Sequence, residues 1–224
     1  YRGHVEQPES QVQGRRNLVR SLSWSPDGQR IVSRSETSAQ VWDARDGTHL
    51  YTYDAERADA ESAALDDSWP FSTKKVAWAP DGSRIAAAYA STIHVWQADS
   101  GQNLTIYRGH QHIVSTLAWS PDSTLIASGV EQGSVFRSWE DDEDDREEVE
   151  DDEDDRSYLH PRSPEAQVIH LWRVGQDEEK PYYIYRGHSY NGRPGARIRD
   201  IRWFSDGERI ASANREVQIW QARE

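Results

Sequence analysis

The sequence has no cysteine and no methionine, and only three phenylalanines among its 224 residues. Without cysteine, disulfide frameworks, thiolate nucleophiles and thiolate metal sites are all excluded. No apolar run approaches the roughly 18 residues of a membrane span. No secretory leader pattern is visible either, so the reading is of a cytoplasmic protein that does not enter a membrane. The missing methionine, the initiator included, and a first residue that falls inside a repeated motif point to a piece of a longer chain. Helical periodicity is also lacking. Hydrophobic residues make up 35% of the chain, so a core must rest on large aromatics, and ten Trp and ten Tyr are present to build one.

The net charge of −13 is concentrated in one place. Residues 140–156 read EDDEDDREEVEDDEDDR and carry −12 of it, so the rest of the chain is nearly neutral. A like-charge block of this kind reads first as a solvated, self-repelling loop. An acidic chain also disfavours nucleic acid as a partner, because phosphate contacts demand a basic surface.

Four units of one design run through the chain. Tyr-Arg-Gly-His occurs at 1–4, 107–110 and 185–188. A turn signal follows in each unit: Pro26-Asp27-Gly28, Pro80-Asp81-Gly82, Pro121-Asp122-Ser123 and Ser205-Asp206-Gly207. Trp24, Trp78, Trp119 and Trp203 stand shortly before these turns. Each unit then closes on an aliphatic residue and a Trp, at Trp42, Trp96, Trp172 and Trp220. Repetition of four ordered features marks a repeat architecture. Each unit predicts four strands. Strand a lies over residues 18–25 and before the matching turns, and strand b over 30–33, 84–88, 125–128 and 209–212. Strand c carries the closing Trp with period-2 alternation before it, and strand d lies over 50–53, 104–107 and 182–185. Regular short strands with turn signals and no helical stretch predict an all-β fold. Repeated four-stranded antiparallel sheets predict a β-propeller.

On these residues the chain closely resembles the WD40-repeat family, whose mark is Gly-His, then two strands, then Trp-Asp. Gly3-His4 to Trp42-Asp43 fits best. The resemblance implies a hydrogen-bonded structural tetrad in each repeat. Unit 1 offers His4, Ser33 and Trp42, with Glu36 where Asp is usual. Unit 3 offers His110, Ser128 and Trp172, and unit 4 offers His188, Ser212 and Trp220. Unit 2 departs, with Tyr53-Asp54-Ala55-Glu56 in place of Tyr-Arg-Gly-His and Ala87 in place of the Ser, so a tetrad is not expected there. The chain reads as one segment, 1–224. Its units cover about 1–52, 53–106, 107–184 (with an acidic insertion near 134–166) and 185–224.

A row of such sheets would leave an apolar face bare at each end. Three arrangements compete: a closed four-blade ring, two chains joined head to tail as an eight-bladed homodimeric ring, or a stretch of a longer propeller. The two-chain ring is preferred.

The variable connections all fall between strands d and a or between b and c, which share one rim. From the repeat His to the strand a Trp is 9 positions in unit 3, 15 in unit 4 and 20 in unit 1, and residues 54–73 fill this place in unit 2. From the strand b Ser to the strand c Trp is 9 positions in unit 1 but 44 in unit 3. Loops on a rigid scaffold are where binding residues gather. Arg15, Arg16, Arg20, Lys74, Lys75, Arg193, Arg197 and Arg199 lie in or beside these connections and form the candidate partner-binding face.

No His-Glu-x-x-His, Gly-x-Ser-x-Gly, phosphate-binding Gly loop or EF-hand ladder is present, so no metal, cofactor or catalytic residue is assigned. His94 and His170 share the slot two before the strand c Trp with Gln40 and Gln218 and read as strand residues. The expected function is a non-enzymatic protein–protein interaction platform. The resemblance suggests a sensing part of a larger bacterial-type signalling protein. Two rivals are a repeat scaffold whose activity is self-assembly, and a hydrolase or metal-dependent enzyme using the decorated face.

Overall fold

The computed structural model describes residues 19–35, 38–58, 75–131, 168–176, 179–188 and 197–222. Unit 1 forms β1 (Ser21–Trp24), β2 (Arg30–Arg34), β3 (Ser38–Asp43) and β4 (His49–Asp54). Unit 2 forms β5 (Val76–Trp78), β6 (Arg84–Tyr89), β7 (Thr92–Gln97) and β8 (Asn103–Tyr107). Unit 3 forms β9 (Ile113–Trp119), β10 (Leu125–Glu131), β11 (Ile169–Arg173) and β12 (Tyr183–Tyr185), and unit 4 forms β13 (Asp200–Trp203), β14 (Arg209–Ala213) and β15 (Val217–Gln221). Strands pair antiparallel in chain order, giving three four-stranded sheets and one three-stranded sheet. The fold is all-β.

The register repeats with the sequence. Ile31, Ile85, Ile126 and Ile210 on the second strands face Trp42, Trp96, Trp172 and Trp220 on the third. Such cross-strand pairs are the stabilising unit of a sheet. The first turn has one chemistry throughout. Asp27 accepts hydrogen bonds from Ser25 Oγ (2.5 Å) and from Gln29 N (3.0 Å), and Asp122 repeats this with Ser120 Oγ (2.5 Å) and Thr124 N (3.0 Å). Gly28 closes the turn at φ +68°, and Ser123 holds the same place at φ +60°. Glycine occupies that region without steric cost and serine does not.

One element departs from the expectation of no helix. A single turn, α1 (Ala55–Ala58), follows β4. It forms where unit 2 lacks Tyr-Arg-Gly-His: Asp54 Oδ1 accepts the Arg57 N–H at 3.1 Å as an N-cap, and Ala55 and Ala58 favour helix.

The core lies between sheets. One cluster joins Val32, Val41 and Tyr53 of unit 1 to Val76, Trp78 and Trp96 of unit 2. A second joins Ile93, Val95 and Tyr107 to Leu117, Trp119 and Trp172, and a third joins Ile169 and Leu171 to Ile201, Ile210 and Trp220. Each large side chain buried this way is worth about 1.5–3 kcal/mol, and a sheet standing alone would gain little of it.

The inner strands run side by side in one direction. Ser21 Oγ accepts the Val76 N–H (3.3 Å) and Ser23 Oγ the Trp78 N–H (3.1 Å), so β1 and β5 advance together. Ser115 Oγ donates to Ile198 O (2.6 Å) and Trp203 Nε1 to Ala118 O (3.2 Å), which sets β13 beside β9 in the same sense. Lys75 Nζ lies 3.9 Å from Asp200 Oδ1, linking the second sheet to the fourth. The inner strands therefore converge, and the sheets fan outward from them.

Candidate partner-binding rim

What holds the rim rigid is visible at the buried polar residues. In unit 4, His188 Nε2 and Ser212 Oγ lie 2.6 Å apart, and Trp220 Nε1 donates to the same oxygen at 2.9 Å. In unit 1, Trp42 Nε1 donates to Ser33 Oγ at 2.9 Å. In unit 3, His110 Nε2 lies 2.7 Å from Ser128 Oγ, while the buried Trp172 Nε1 meets no acceptor among the described residues. Unit 2 has Ala87 in the serine place, and Trp96 Nε1 turns instead to the Tyr51 hydroxyl of the preceding sheet at 3.3 Å. His4 and Glu36 lie outside the described residues.

A second set of contacts crosses every junction between sheets, and the sequence reading did not anticipate it. Tyr53, at the end of β4, stacks on Trp96 of the next sheet with centroids 4.1 Å apart, and its hydroxyl lies 2.9 Å from His94 Nδ1. Tyr107 repeats this on Trp172 (4.6 Å) and His170 Nδ1 (2.9 Å). Tyr185 stacks on Trp220 (4.1 Å) and donates to Gln218 Oε1 at 2.7 Å. His94, His170 and Gln218 thus share one slot, the hydrogen-bond partner of a tyrosine reaching forward from the sheet before. This also explains the glycine of Tyr-Arg-Gly-His. A Cβ at Gly187 would run into the Tyr185 ring, and one at Gly109 would meet the Tyr107 phenol and Glu179 O. Between the first two sheets, the fully buried Arg34 guanidinium stacks over Tyr89 at 4.0 Å.

His110 and His170 are neutral at neutral pH. Burial holds His110 well below the ordinary histidine range, and the neighbouring His170 and His112 lower it further. Burial and then Arg186 bring His170 down to about 4. Their rings stack 4.1 Å apart, an arrangement two imidazolium ions would oppose. The pairing of His110 with Ser128 is structural, since Ser128 is fully buried.

The rim itself follows from strand direction. β1, β5, β9 and β13 all begin at the end where β2, β6, β10 and β14 finish. Arg20 stands immediately before β1, Lys75 before β5, and Arg197 and Arg199 before β13. Arg20 and Arg199 are exposed, while Lys75 and Arg197 are partly buried. Asp200 is the counter-charge within this group, 3.9 Å from Lys75 and 3.2 Å from Arg202 Nε. Exposed pairs of this kind contribute little to stability. Arg15, Arg16, Lys74, Arg193 and the acidic stretch 140–156 lie outside the described residues, as do residues 135–139. Among the described residues no group of three or more His, Asp or Glu is placed to hold a metal ion, and no helix is long and apolar enough to cross a membrane.

Comparison with known proteins gives this geometry a family. The profile described as "WD domain, G-beta repeat" matches residues 6–43 and 101–136. Two stretches of the chain thus match the WD40 repeat. Similar proteins include the serine-threonine kinase receptor-associated protein of Dictyostelium discoideum, 26% identical over 55% of this chain and 38% of the relative. The WD repeat-containing protein VIP3 of Arabidopsis thaliana is 29% identical over 56% of the chain and 38% of the relative. The WD repeat and SOCS box-containing protein 1 of Homo sapiens is 38% identical over 28% of the chain and 16% of the relative. The chain therefore spans well under half the length of these relatives. WD40 repeats imply a protein–protein interaction scaffold.

Proposed function

We propose that this WD40 segment is a non-catalytic scaffold that binds an acidic region of a protein partner at the rim formed by its d–a and b–c connections. The single observation that carries the reading is that Arg20, Lys75 and Arg199 stand at the same ends of converging inner strands. Cations held on a rigid framework focus a positive potential on one mouth of the assembly, even in a chain of net negative charge. The acidic stretch 140–156 falls in the sequence between β10 and β11, and in our reading it tunes access by long-range repulsion. The protein acts in the cytoplasm as part of a larger signalling protein of bacterial type.

The test is titration with poly-glutamate, with poly-lysine as the control. The unsubstituted chain should bind poly-glutamate with an affinity that falls as salt rises. Combined Arg20→Glu, Lys75→Glu and Arg199→Glu substitutions should weaken binding at least tenfold with unchanged thermal stability. Deleting residues 140–156 should tighten it. Equal binding by the triple variant would reject the rim as the site.

A further inference from the structure

The second sheet carries an open cleft at the end away from Lys75, where β6 begins and β7 finishes. It measures about 340 Å³ and is lined by Ser83, Arg84, Gln97, Asp99 and Leu104. The corner that builds it is copied in the neighbouring sheets. Ala44 N donates to Gln29 O, Ala98 N to Ser83 O and Val174 N to Thr124 O, so one backbone hydrogen bond fixes the same corner three times. Asp43, Gln97 and Arg173 are therefore counterparts, each directly after the strand c Trp, and Arg45 is the counterpart of Asp99. Leu50, Leu104 and Tyr182 match as well, each one residue before the partner of Val41, Val95 or Leu171.

The first and third sheets put a guanidinium of their own into this corner. Arg45 Nη2 donates to Gln29 Oε1 at 3.1 Å, and Arg45 Nε lies 3.7 Å from Asp43 Oδ1. Arg173 lies over the Tyr182 ring at 4.8 Å. The second sheet has Asp99 and Gln97 in those two places. Arg84 lines the cleft but is committed to the third sheet: its Nη2 donates to Ser123 O at 2.7 Å, and its guanidinium lies over Trp119 at 5.2 Å. Asp99 Oδ1 accepts from Arg30 Nη1 of the sheet before at 2.6 Å, yet the Asp99 side chain stays 84% exposed. Gln97 Oε1 takes the Ser100 hydroxyl at 3.2 Å and has a second lone pair to offer. Leu104 is 45% exposed beside them. The first and third sheets both flank this cleft, so its opening belongs to the second sheet itself.

We propose that the cleft is a recognition site for one arginine side chain of a protein partner, which supplies the guanidinium that the sister corners provide for themselves. The occupant is cationic because the cleft offers a carboxylate and an amide oxygen where the first and third sheets place arginine. It is arginine because a planar guanidinium reaches two such oxygens at once and lays its stem along Leu104, which a compact, strongly hydrated ammonium does less well. The template is internal: the same corner holds a guanidinium against an amide oxygen and a carboxylate in the first sheet, and against an aromatic ring in the third. The cleft lies at the opposite end of the sheets from Arg20, Lys75 and Arg199, so the proposal is independent of the ligand read for the rim.

Titration of the isotope-labelled 224-residue chain with Nα-acetyl-arginine amide, followed by backbone amide shifts in heteronuclear NMR, tests it. The amides of Ser83, Gln97, Asp99 and Leu104 should move together and saturate, and Nα-acetyl-lysine amide should bind more weakly. Asp99→Asn should weaken the arginine amide about fivefold, the worth of one exposed ion pair. Gln97→Arg installs the residue found at Arg173 and gives the cleft its own guanidinium, so it should abolish the shifts with the strand-rich far-ultraviolet circular dichroism retained. If that variant fails to fold, Asp99→Asn decides alone. Shifts confined to the acidic stretch 140–156, or no saturable shifts at all, would overturn the site. Equal binding of the lysine amide would overturn the choice of guanidinium. Undiminished binding by folded Gln97→Arg or by Asp99→Asn would overturn the cleft as the place of binding.

Discussion

Replacing the forward-reaching tyrosines by phenylalanine should give costs graded by burial rather than by chemistry. Tyr53→Phe and Tyr107→Phe each keep the ring stacked on Trp96 or Trp172 and delete only a hydroxyl. They leave His94 Nδ1 or His170 Nδ1 inside a dry junction without that 2.9 Å partner. A buried polar atom stripped of its partner costs about 1–3 kcal/mol. Tyr185→Phe deletes the same hydroxyl from a partly exposed site, where water can reach Gln218 Oε1, so the cost should fall to about 1 kcal/mol or less. Tyr182→Phe, at an exposed ring that takes no part in these junctions, should stay within about 0.5 kcal/mol. Urea unfolding followed by tryptophan fluorescence measures all four, with the midpoint compared at constant slope so that any loss of cooperativity along the repeats is seen. Equal costs at Tyr107, Tyr185 and Tyr182 would refute the claim that these hydroxyls lock one sheet to the next.

Acid should loosen the third sheet. His170 has a folded value near 4, against an ordinary 6.5, and His110 is lowered too. The unfolded chain therefore binds protons first, and stability that is complete above about pH 6.5 is lost as pH falls toward 4, by on the order of 1–3 kcal/mol. Thermal melts at intervals from pH 7.5 to pH 4.5 should trace this loss. His170→Gln, which installs the residue found at Gln40 and Gln218, should keep the tyrosine contact and flatten part of the dependence. Gly129→Ala should destabilise by about 1–3 kcal/mol through overpacking, because a Cβ there would lie 2.6 Å from Ile198 Cβ across the junction of the third and fourth sheets. A melting temperature unchanged by that substitution would show that the junction can yield.

The strands could be read from the sequence because the turn chemistry and the closing Trp recur at fixed spacing, and each signal is local. Asp27, Asp81, Asp122 and Asp206 act on residues two or three positions away, so a reader of the chain sees cause and effect together. The junction contacts were harder. Tyr53 meets His94 and Tyr107 meets His170 across 41 and 63 positions, and no local pattern says that strand d serves the next sheet rather than its own. The signal was present nonetheless: every strand d with a described successor carries a Tyr at its last or next-to-last position, and every matching slot carries a side chain able to accept a hydrogen bond. Arg34 gave no comparable sign, since Ala88, Gly129 and Ala213 hold its place in the other units. The basic rim was legible only as a list of cations near variable connections. Its convergence depends on the parallel run of the inner strands, which is a property of packing.

The third sheet reaches the pairing of Gly129 with Ile169 as directly as the first reaches the pairing of Arg34 with Ala39, although residues 132–168 intervene in one and residues 35–37 in the other. Loop-closure entropy grows only with the logarithm of length, so this order-of-magnitude difference costs about 2 kcal/mol. Such a molecule can exchange whole passages of sequence at its mouth while its frame stands, which makes its specificity far cheaper to change than its architecture.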